Sequence, residues 1–209
     1  MSRHSTRPQD SPGQAAASAW DDLAAAMVRL KRVPRAGWLL RGVAASQAES
    51  VAAHSWGVAL VALALAELQE EPVDVGRLLS MCLLHDLAES VLGDLPGPAA
   101  DYLPPGAKQA AERLALHDIL VRLPFAATWQ ALWEEYETGA TFEAQLARDA
   151  DRLDMLVQAA GYEAAGQRNL DEFWEIATGY PWRFQESASL ARRLLSQRHG
   201  DRWTGDSPS

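Results

Sequence analysis

An adjacent histidine and aspartate, His85 and Asp86, close an apolar stretch of the sequence, and Glu89 follows one helical turn later. On a helix, this spacing places an imidazole and two carboxylates near one another. Burying such groups is costly unless a ligand binds them or they take part in chemistry. The segment 93–98 follows, and its two prolines predict a rigid loop beside the helix end. Residues 83–98 are therefore the first candidate for a functional site.

A second histidine, His54, lies in a predicted helix over residues 50–68, where apolar residues recur at intervals of three and four. This spacing turns His54 toward the core, where a histidine is more often hydrogen-bonded than a metal ligand. The predicted helix over 141–167 carries three aspartates in its first half. Histidines and aspartates from separate helices of a bundle can surround one divalent ion. The candidate ligands are His54, His85, Asp86 and one of Asp149, Asp151 and Asp154.

The chemistry of this ligand set narrows the kind of metal. Imidazole suits the later first-row metals, whereas carboxylates suit harder cations. A mixed set therefore predicts one divalent transition metal, Mn, Co, Fe, Ni or Zn, in preference to Ca. The residue types do not choose among those five.

A second His-Asp pair, His117 and Asp118, lies within another predicted helix. It lacks the features that follow the first pair, because no glutamate comes one turn later and no Gly-Asp-Leu-Pro loop follows. Polar pairs of this kind are usually exposed on a helix surface. We therefore expect His117 to take no part in metal binding.

The segment 34–49 contains glycines, a proline and small polar residues, and it is predicted to be an ordered loop. Arg35, Trp38 and Arg41 stand out in it, and loops on rigid scaffolds often carry ligand contacts. The alternative is structural: Trp38 covers the core, and the two arginines pair with surface carboxylates.

The remaining sequence predicts an all-α fold with a single domain. Alanine and leucine are abundant and β-branched runs are few, which favours helices. Residues 1–18 lack apolar periodicity and are predicted to be a disordered leader, followed by a helical domain over 19–199 and a frayed tail over 200–209. Asp74 is predicted to cap a helix that runs through Glu89. The other predicted helices cover residues 20–32, 106–123, 125–138, 170–178 and 183–198.

Charge and composition exclude several classes of protein. The net charge of −9 and the isoelectric point near 5.0 argue against a partner that is a nucleic-acid polymer, since such binding needs clustered lysines and arginines. A small phosphorylated ligand held by one or two arginines fits better. The single cysteine, Cys82, has no partner for an intramolecular disulfide, and no apolar run is long enough for a membrane span. We therefore expect a cytoplasmic protein that does not interact with membranes.

Taken together, these motifs resemble the HD-domain metal-dependent phosphohydrolases, and more narrowly their 5'-deoxynucleotidase branch. The resemblance covers residues 30–161. It implies an HD-type helical bundle with a metal in its interior, bound by His54, His85, Asp86 and Asp151. Asp149 and Asp154 would then lie behind the ligands or on the surface. The matching segments are 49–54, 84–89, 93–96 and 149–153, which read ESVAAH, LHDLAE, GDLP and DADRL.

The resemblance also implies a substrate site. Arg35 matches an arginine that orients the phosphate, and Trp38 matches a tryptophan near the sugar. Two residues separate them here, as in the eukaryotic-type branch, whereas the bacterial enzymes have them adjacent; Arg41 is a substitute candidate. The implied substrate contacts are Arg35, Trp38, His54, Asp86, Asp94, Leu95, Pro96, Gly97 and Asp151.

We therefore expect an enzyme that releases phosphate from (deoxy)ribonucleoside 5'-monophosphates. Catalysis is assigned to Glu89, Asp94 and Arg35. Glu89 would orient or deprotonate water, Asp94 would contact the sugar hydroxyl or the leaving oxygen, and the planar fork of Arg35 would hold the phosphate. The alternatives are a hydrolase of nucleoside triphosphates or other phosphorylated nucleotides, and a non-catalytic nucleotide sensor. The resemblance further suggests a homodimer.

Overall fold

The computed structural model describes residues 12–200, with side chains described from Trp20 to Arg198. Within that part of the chain the regular structure is helical, and a single isolated bridge joins Pro34 to Ser50. This confirms the predicted all-α, single-domain fold. The helices are α1 (Pro12–Leu30), α2 (Ala36–Leu40), α3 (Val51–Glu67), α4 (Val75–Leu84), α5 (Glu89–Leu92), α6 (Gly97–Ala100), α7 (Ala107–Leu120), α8 (Ala126–Thr138), α9 (Phe142–Ala164), α10 (Asp171–Gly179) and α11 (Gln185–Gly200).

Helix α3 is the centre of the bundle. It packs mainly against α9 and α4, while α8, α10 and α11 pack around α9. From Val51 to Ala66 the sequence of α3 contains no Asp, Glu, Lys or Arg, although Trp56 and Leu60 on its outer face are exposed. Val58, Ala62 and Leu65 are fully buried along its inner face. Because the start of α3, the end of α4 and the middle of α9 meet, side chains far apart in sequence converge there.

Three predicted helix starts coincide with side-chain caps. The Asp74 carboxylate accepts from the Arg77 amide at 3.0 Å, which confirms the predicted cap of α4. Ser50 and Thr141 accept in the same way from amides three residues later, at the starts of α3 and α9. Each cap satisfies a backbone donor that the first helical turn leaves without a partner.

Several predicted boundaries were wrong. Helix α1 begins at Pro12, so residues 12–18 are helical although we expected them in the leader. The loop predicted over 34–49 contains the short helix α2. Residues 1–11 and 201–209, which include the rest of the predicted leader and almost all of the predicted tail, lie outside the described residues.

The helix that carries the His-Asp pair ends earlier than predicted. Helix α4 ends at Leu84, and the backbone then tightens, because Leu87, Glu89 and Ser90 donate to carbonyls three residues back, at 3.0 to 3.1 Å. Bonds of this type wind the chain more tightly than an α-helix. Trp133 holds the turn by donating its indole N–H to the His85 carbonyl at 3.0 Å. The turn thus places the side chains of residues 85–89 at the end of α4 instead of along its face.

Across residues 12–200, the helices are too short or too polar to cross a lipid bilayer.

Candidate active site

Two buried histidines, His54 and His85, each direct their Nε2 atom into the same space, while their Nδ1 atoms are bound from behind. The Nδ1 atom of His54, in α3, lies 2.8 Å from Oδ2 of Asp154 in α9. The Nδ1 atom of His85 lies 2.8 Å from the carbonyl oxygen of Cys82. With both Nδ1–H groups donating, the two Nε2 atoms present lone pairs, and neither has a hydrogen-bond partner although both are buried. Buried nitrogens in this state fit a bound cation, and a partner on the second nitrogen is typical of histidine ligands.

Two carboxylates complete the cluster. The Oδ1 atom of Asp151 lies 3.1 Å from His54 Nε2. The Oδ2 atom of Asp86 lies 3.1 Å from His85 Nε2 and 3.8 Å from His54 Nε2. The donor atoms of His54, His85 and Asp151 all lie within 4.8 Å of one another, with Asp86 beside them. The structure therefore brings the four predicted ligands together, and the set fits the divalent metal that the sequence implies.

The charges in this cluster are strongly coupled. Burial alone would raise the pKa of Asp151, yet His54 and Arg152 hold it well below its usual range. For Asp86, His85 and Arg35 outweigh burial and lower the pKa in the same way. The pKa of His54 rises to about 9, because contacts with Asp151 and Asp154 outweigh burial and the charge of Arg35. A cation that binds His54 therefore displaces the proton that the neighbouring carboxylates stabilise on its ring.

Arg35 lies at the edge of this cluster. Its Nη1 atom is 3.1 Å from Oδ2 of Asp86. The backbone around it is fixed on both sides, since the Arg35 amide donates to the Glu49 carbonyl at 2.9 Å and the Ala36 amide donates to Asp94 Oδ2 at 2.5 Å. Burial alone would lower the pKa of Arg35, but the charges of Asp86 and Asp94 raise it above its ordinary value. A fixed, fully charged guanidinium thus lies beside the predicted metal site.

Glu89 lies on the other side of Asp86, at the start of α5. It is 4% exposed, and its Oε2 atom has no hydrogen-bond partner. Burial, together with the charges of Asp86 and Asp94, raises its pKa to about 9. A buried carboxyl group with these properties can hold a proton near neutral pH, which suits general acid-base chemistry.

The cluster forms the floor of a cavity of about 540 Å³. Most of the residues predicted to contact substrate line it, whereas His54 lies behind the wall. Lys108 and Glu112, which were not predicted, also line the cavity, and their Nζ and Oε1 atoms are 3.4 Å apart on α7. A Lys-Glu pair at this spacing usually lies on a solvated helix face, so no sequence pattern distinguishes this pair. The predicted residues in the wall are Arg35, Trp38, His85, Asp86, Glu89, Asp94, Leu95, Pro96, Gly97 and Asp151.

Trp38 is part of the core as well as of the wall. It is 2% exposed, and its ring centroid lies 4.1 Å from that of Phe173 and 5.2 Å from that of Tyr162. Arg41, the substitute candidate, forms an ion pair with Glu172 on α10. These contacts match the structural alternative for Trp38 and Arg41, whereas Arg35 points to the cluster.

The two aspartates beside Asp151 have different environments. Asp154 positions His54, as described above. Asp149 is fully buried, and its Oδ2 atom accepts from the amides of Arg183 and Phe184 at 3.1 and 3.2 Å. It therefore anchors the segment that leads into α11, and it takes no part in the ligand cluster.

Gly57 is a further residue that the sequence analysis missed. A Cβ atom at this position of α3 would lie 2.8 Å from Cγ of Asp154 and closer still to its Oδ1. Because the Asp154 carboxylate is held by His54, it has little room to move. Only glycine lets α3 and α9 approach closely enough for the His54–Asp154 contact. A lone glycine in a helical pattern hints at close packing, but it does not name the partner.

Replacing Gly57 by alanine is expected to lower the free energy of unfolding by about 1–3 kcal/mol, because the added methyl group overpacks the interface. Displacement of Asp154 is also expected to weaken metal binding by roughly 10- to 100-fold. Urea denaturation and metal titration measure the two effects. Gly161→Ala is the matched control, since its Cβ atom would meet no atom within 4 Å and alanine is favoured in a helix. Equal stability of the two variants would contradict the assignment.

Comparisons with known proteins identify the family of this chain. The HD domain family matches residues 27–187. The chain is 32% identical over 174 residues to human 5'-deoxynucleotidase HDDC2, covering 81% of each chain, and 34% identical over 174 residues to the Danio rerio protein of that name, covering 81% of this chain and 83% of the relative.

Solved structures show the same fold. A conserved hypothetical protein from Pyrococcus furiosus superimposes with a TM-score of 0.71 at 38% identity, over 86% of this chain and 99% of that one. A predicted metal-dependent phosphohydrolase from Magnetospirillum magnetotacticum superimposes with a TM-score of 0.67 at 27% identity, over 88% and 95% of the two chains. With the family match covering most of the sequence, the chain belongs to the HD-domain family.

Proposed function

We propose that this protein is a metal-dependent phosphohydrolase that releases inorganic phosphate from (deoxy)ribonucleoside 5'-monophosphates. The observation that carries the proposal is the pair of buried Nε2 atoms of His54 and His85 without a hydrogen-bond partner, beside two aspartates and Arg35 that line one cavity. The relatives named 5'-deoxynucleotidase support the substrate class.

The metal would be held by His54, His85, Asp86 and Asp151, and the mixed ligands favour Mn, Co, Fe, Ni or Zn. When bound, such an ion acidifies a water molecule and neutralises phosphoryl oxygens. Imidazole ligands disfavour Ca. A bound divalent ion and Arg35 would together offset the charge of a phosphate dianion in a cavity that also contains several carboxylates.

Three residues around the cluster, Arg35, Glu89 and Asp94, have separate roles in the proposed reaction. Arg35 directs its planar donor fork at the phosphate and fixes its orientation. Glu89 would orient or deprotonate the attacking water. A cation held beside Asp86 would offset the negative charge that raises the pKa of Glu89, so that its carboxylate could accept a proton. As the bond between phosphorus and the 5'-oxygen breaks, that oxygen would take up the proton that Glu89 removed from the water. Asp94, which lies at the cavity wall beside Ala36, contacts the sugar hydroxyl or assists that leaving oxygen.

The proposal is tested by a matrix of substrates and metals. The protein is stripped with a chelator, dialysed, and reloaded separately with Mn, Co, Fe, Ni or Zn. Release of inorganic phosphate is then measured for nucleoside mono-, di- and triphosphates. We expect turnover with monophosphates and at least one of these metals. Phosphate release from triphosphates alone would favour a hydrolase of nucleoside triphosphates. Nucleotide binding without phosphate release would favour a non-catalytic nucleotide sensor.

Loss of the Arg35 side chain is expected to weaken catalysis without removing the metal. Arg35→Ala should lower kcat/KM by about 10- to 100-fold, the equivalent of one charge-assisted hydrogen bond of 1.5–3 kcal/mol. Steady-state kinetics and metal analysis measure the two properties. Arg113→Ala is the control, since Arg113 pairs with Glu134 on an exposed surface. An Arg35 variant with wild-type kcat/KM would remove this residue from the phosphate site.

We also propose a cytoplasmic homodimer. The outer face of α3 supports the dimer, because Trp56 and Leu60 are 67% and 52% exposed on a helix segment that carries no Asp, Glu, Lys or Arg. Apolar patches of this kind are typical of subunit interfaces. The reduced, buried thiol of Cys82 is compatible with the cytoplasm. A mass of 22.8 kDa in light scattering, that of one chain, would contradict the dimer.

A further inference from the structure

We propose that the C-terminal end of α2 and the cavity face of α10 form a nucleobase subsite, in which Leu40, Phe173 and Ile176 bind the base of the nucleotide through apolar contacts. This inference rests on the proposed function, because it assumes that the phosphate lies at Arg35. It adds a second region of the cavity, remote from the ligand cluster, and it assigns a role to α10.

Helix α2 connects the two regions. At its start, Arg35 contacts Asp86 and the Ala36 amide is bound to Asp94. At its end, Leu40 lines the same cavity and is 58% exposed. A helix of five residues is about 7.5 Å long at a rise of 1.5 Å per residue. A phosphate held at the start of α2 therefore leaves room for a pentose before the apolar end is reached.

Contacts with α2 fix the position of α10. The Phe173 ring packs on Trp38 with 4.1 Å between ring centroids, and it lies 3.4 Å from the position that a Cβ atom on Gly37 would occupy. The ion pair between Arg41 and Glu172 joins the end of α2 to the first turn of α10. Both helices therefore present a preformed surface to the cavity.

The side chains at this end are apolar and partly uncovered. Phe173 and Ile176 are three residues apart on α10, so they share a face, and both line the cavity. Ile176 is 44% exposed, and Leu40, on α2, lines the same cavity. Elsewhere the cavity wall is rich in charged groups. Apolar lining beside a few fixed polar groups is typical of small-molecule sites, and exposed aliphatic side chains gain free energy when a ligand covers them.

The chemistry of this end favours a base over a further phosphate. A second phosphate would need a cationic partner there, but Arg41 is engaged by Glu172, and Arg152 lies over the Tyr180 ring beyond the end of α10. A nucleobase is planar and uncharged, so its faces can be covered by aromatic and aliphatic side chains without loss of a charge interaction. The apolar end therefore matches the part of a nucleoside monophosphate that lies farthest from its phosphate.

The test compares a substrate with a base and one without. For the metal-loaded wild type and the Leu40→Ala/Ile176→Ala double variant, kcat/KM is measured with deoxyadenosine 5'-monophosphate and with 2-deoxyribose 5-phosphate. We expect the ratio of the two values to fall roughly tenfold in the variant, mainly through KM for the nucleotide. Phe173 is left intact because its ring supports Trp38. Leu114→Ala is the matched control, since Leu114 is 67% exposed on α7 and lies outside the cavity wall.

An unchanged ratio in the double variant would overturn the subsite, as would an equal loss with both substrates, which indicates a general disturbance of the site. Failure of the wild type to release phosphate from either substrate would instead refute the proposed function. The dissociation constant of deoxyadenosine 5'-monophosphate, measured by calorimetry, then still tests the subsite. It should rise roughly tenfold in the double variant and stay constant in Leu114→Ala.

Discussion

Glu89→Gln is expected to lower kcat by about 10²- to 10⁴-fold, the usual contribution of a general acid or base, while bound metal stays at the wild-type level. Glutamine keeps the shape of the side chain but neither accepts nor releases a proton near neutral pH. The effect should lie in kcat, because we propose that Glu89 acts on the attacking water and does not hold the nucleotide. Single-turnover phosphate release and metal analysis by mass spectrometry measure the two properties.

A structural role for Glu89 predicts a different result. A carboxylate that only caps α5 or pairs with a neighbour would affect the free energy of unfolding and leave kcat near its wild-type value. The structure favours the catalytic role, since Oε2 of Glu89 is buried without a hydrogen-bond partner. Glu134→Gln serves as the control, because Glu134 is a surface carboxylate that pairs with Arg113. Normal turnover in Glu89→Gln would remove this residue from the mechanism.

His85→Gln is expected to abolish turnover by removing the metal. Removing the residue that hydrogen-bonds to a metal ligand typically weakens metal affinity by about 10- to 100-fold. Removing the ligand itself should therefore weaken metal affinity by at least about 100-fold. Glutamine fills most of the volume of the buried ring, and Trp133 still bonds to the backbone carbonyl at this position. Equilibrium dialysis against limiting Mn or Co, followed by metal analysis, measures the loss.

The other His-Asp pair supplies the control for this experiment. His117 is exposed, and its Nδ1 atom lies 2.9 Å from Nε2 of Gln130 on α8. His117→Ala should therefore keep both metal and turnover. Metal should also raise the melting temperature of the wild type and of His117→Ala, but not that of His85→Gln, because only a folded, intact site binds it. Loss of metal from His117→Ala would reverse the assignment of the two pairs.

Much of the fold could be predicted because it depends on local chemistry. Apolar spacing predicted α3 and α9, and Asp74 was identified as a cap because its carboxylate acts on an amide only three residues away. The helix boundaries that were wrong have a common cause. Helix α1 starts at Pro12, and the backbone tightens after α4 ends at Leu84. At both places the residue types are compatible with either a helix or a turn. There the choice depends on packing that a local pattern does not contain.

The sequence by itself determined the residue types of the site. These are two histidines and a set of aspartates on separate helices, Arg35 in the segment 34–49, and Glu89 one turn after the His-Asp pair. The resemblance to HD-domain proteins chose Asp151 from among the later aspartates, and its role as a ligand stays a prediction. The structure places Asp151 by His54 Nε2, while Asp154 holds His54 Nδ1.

Only the tertiary structure decided what surrounds these residues. It packed Trp38 against Phe173, put Lys108 in the cavity wall, and made Gly57 the point where α3 meets Asp154. His54 and Asp154 are 100 residues apart, and Trp38 and Phe173 are on helices at opposite ends of the chain. Such contacts depend on how closely two helices approach and which faces they turn to each other. Periodicity identifies an inward face, but the partner on that face is set by the packing of the whole bundle.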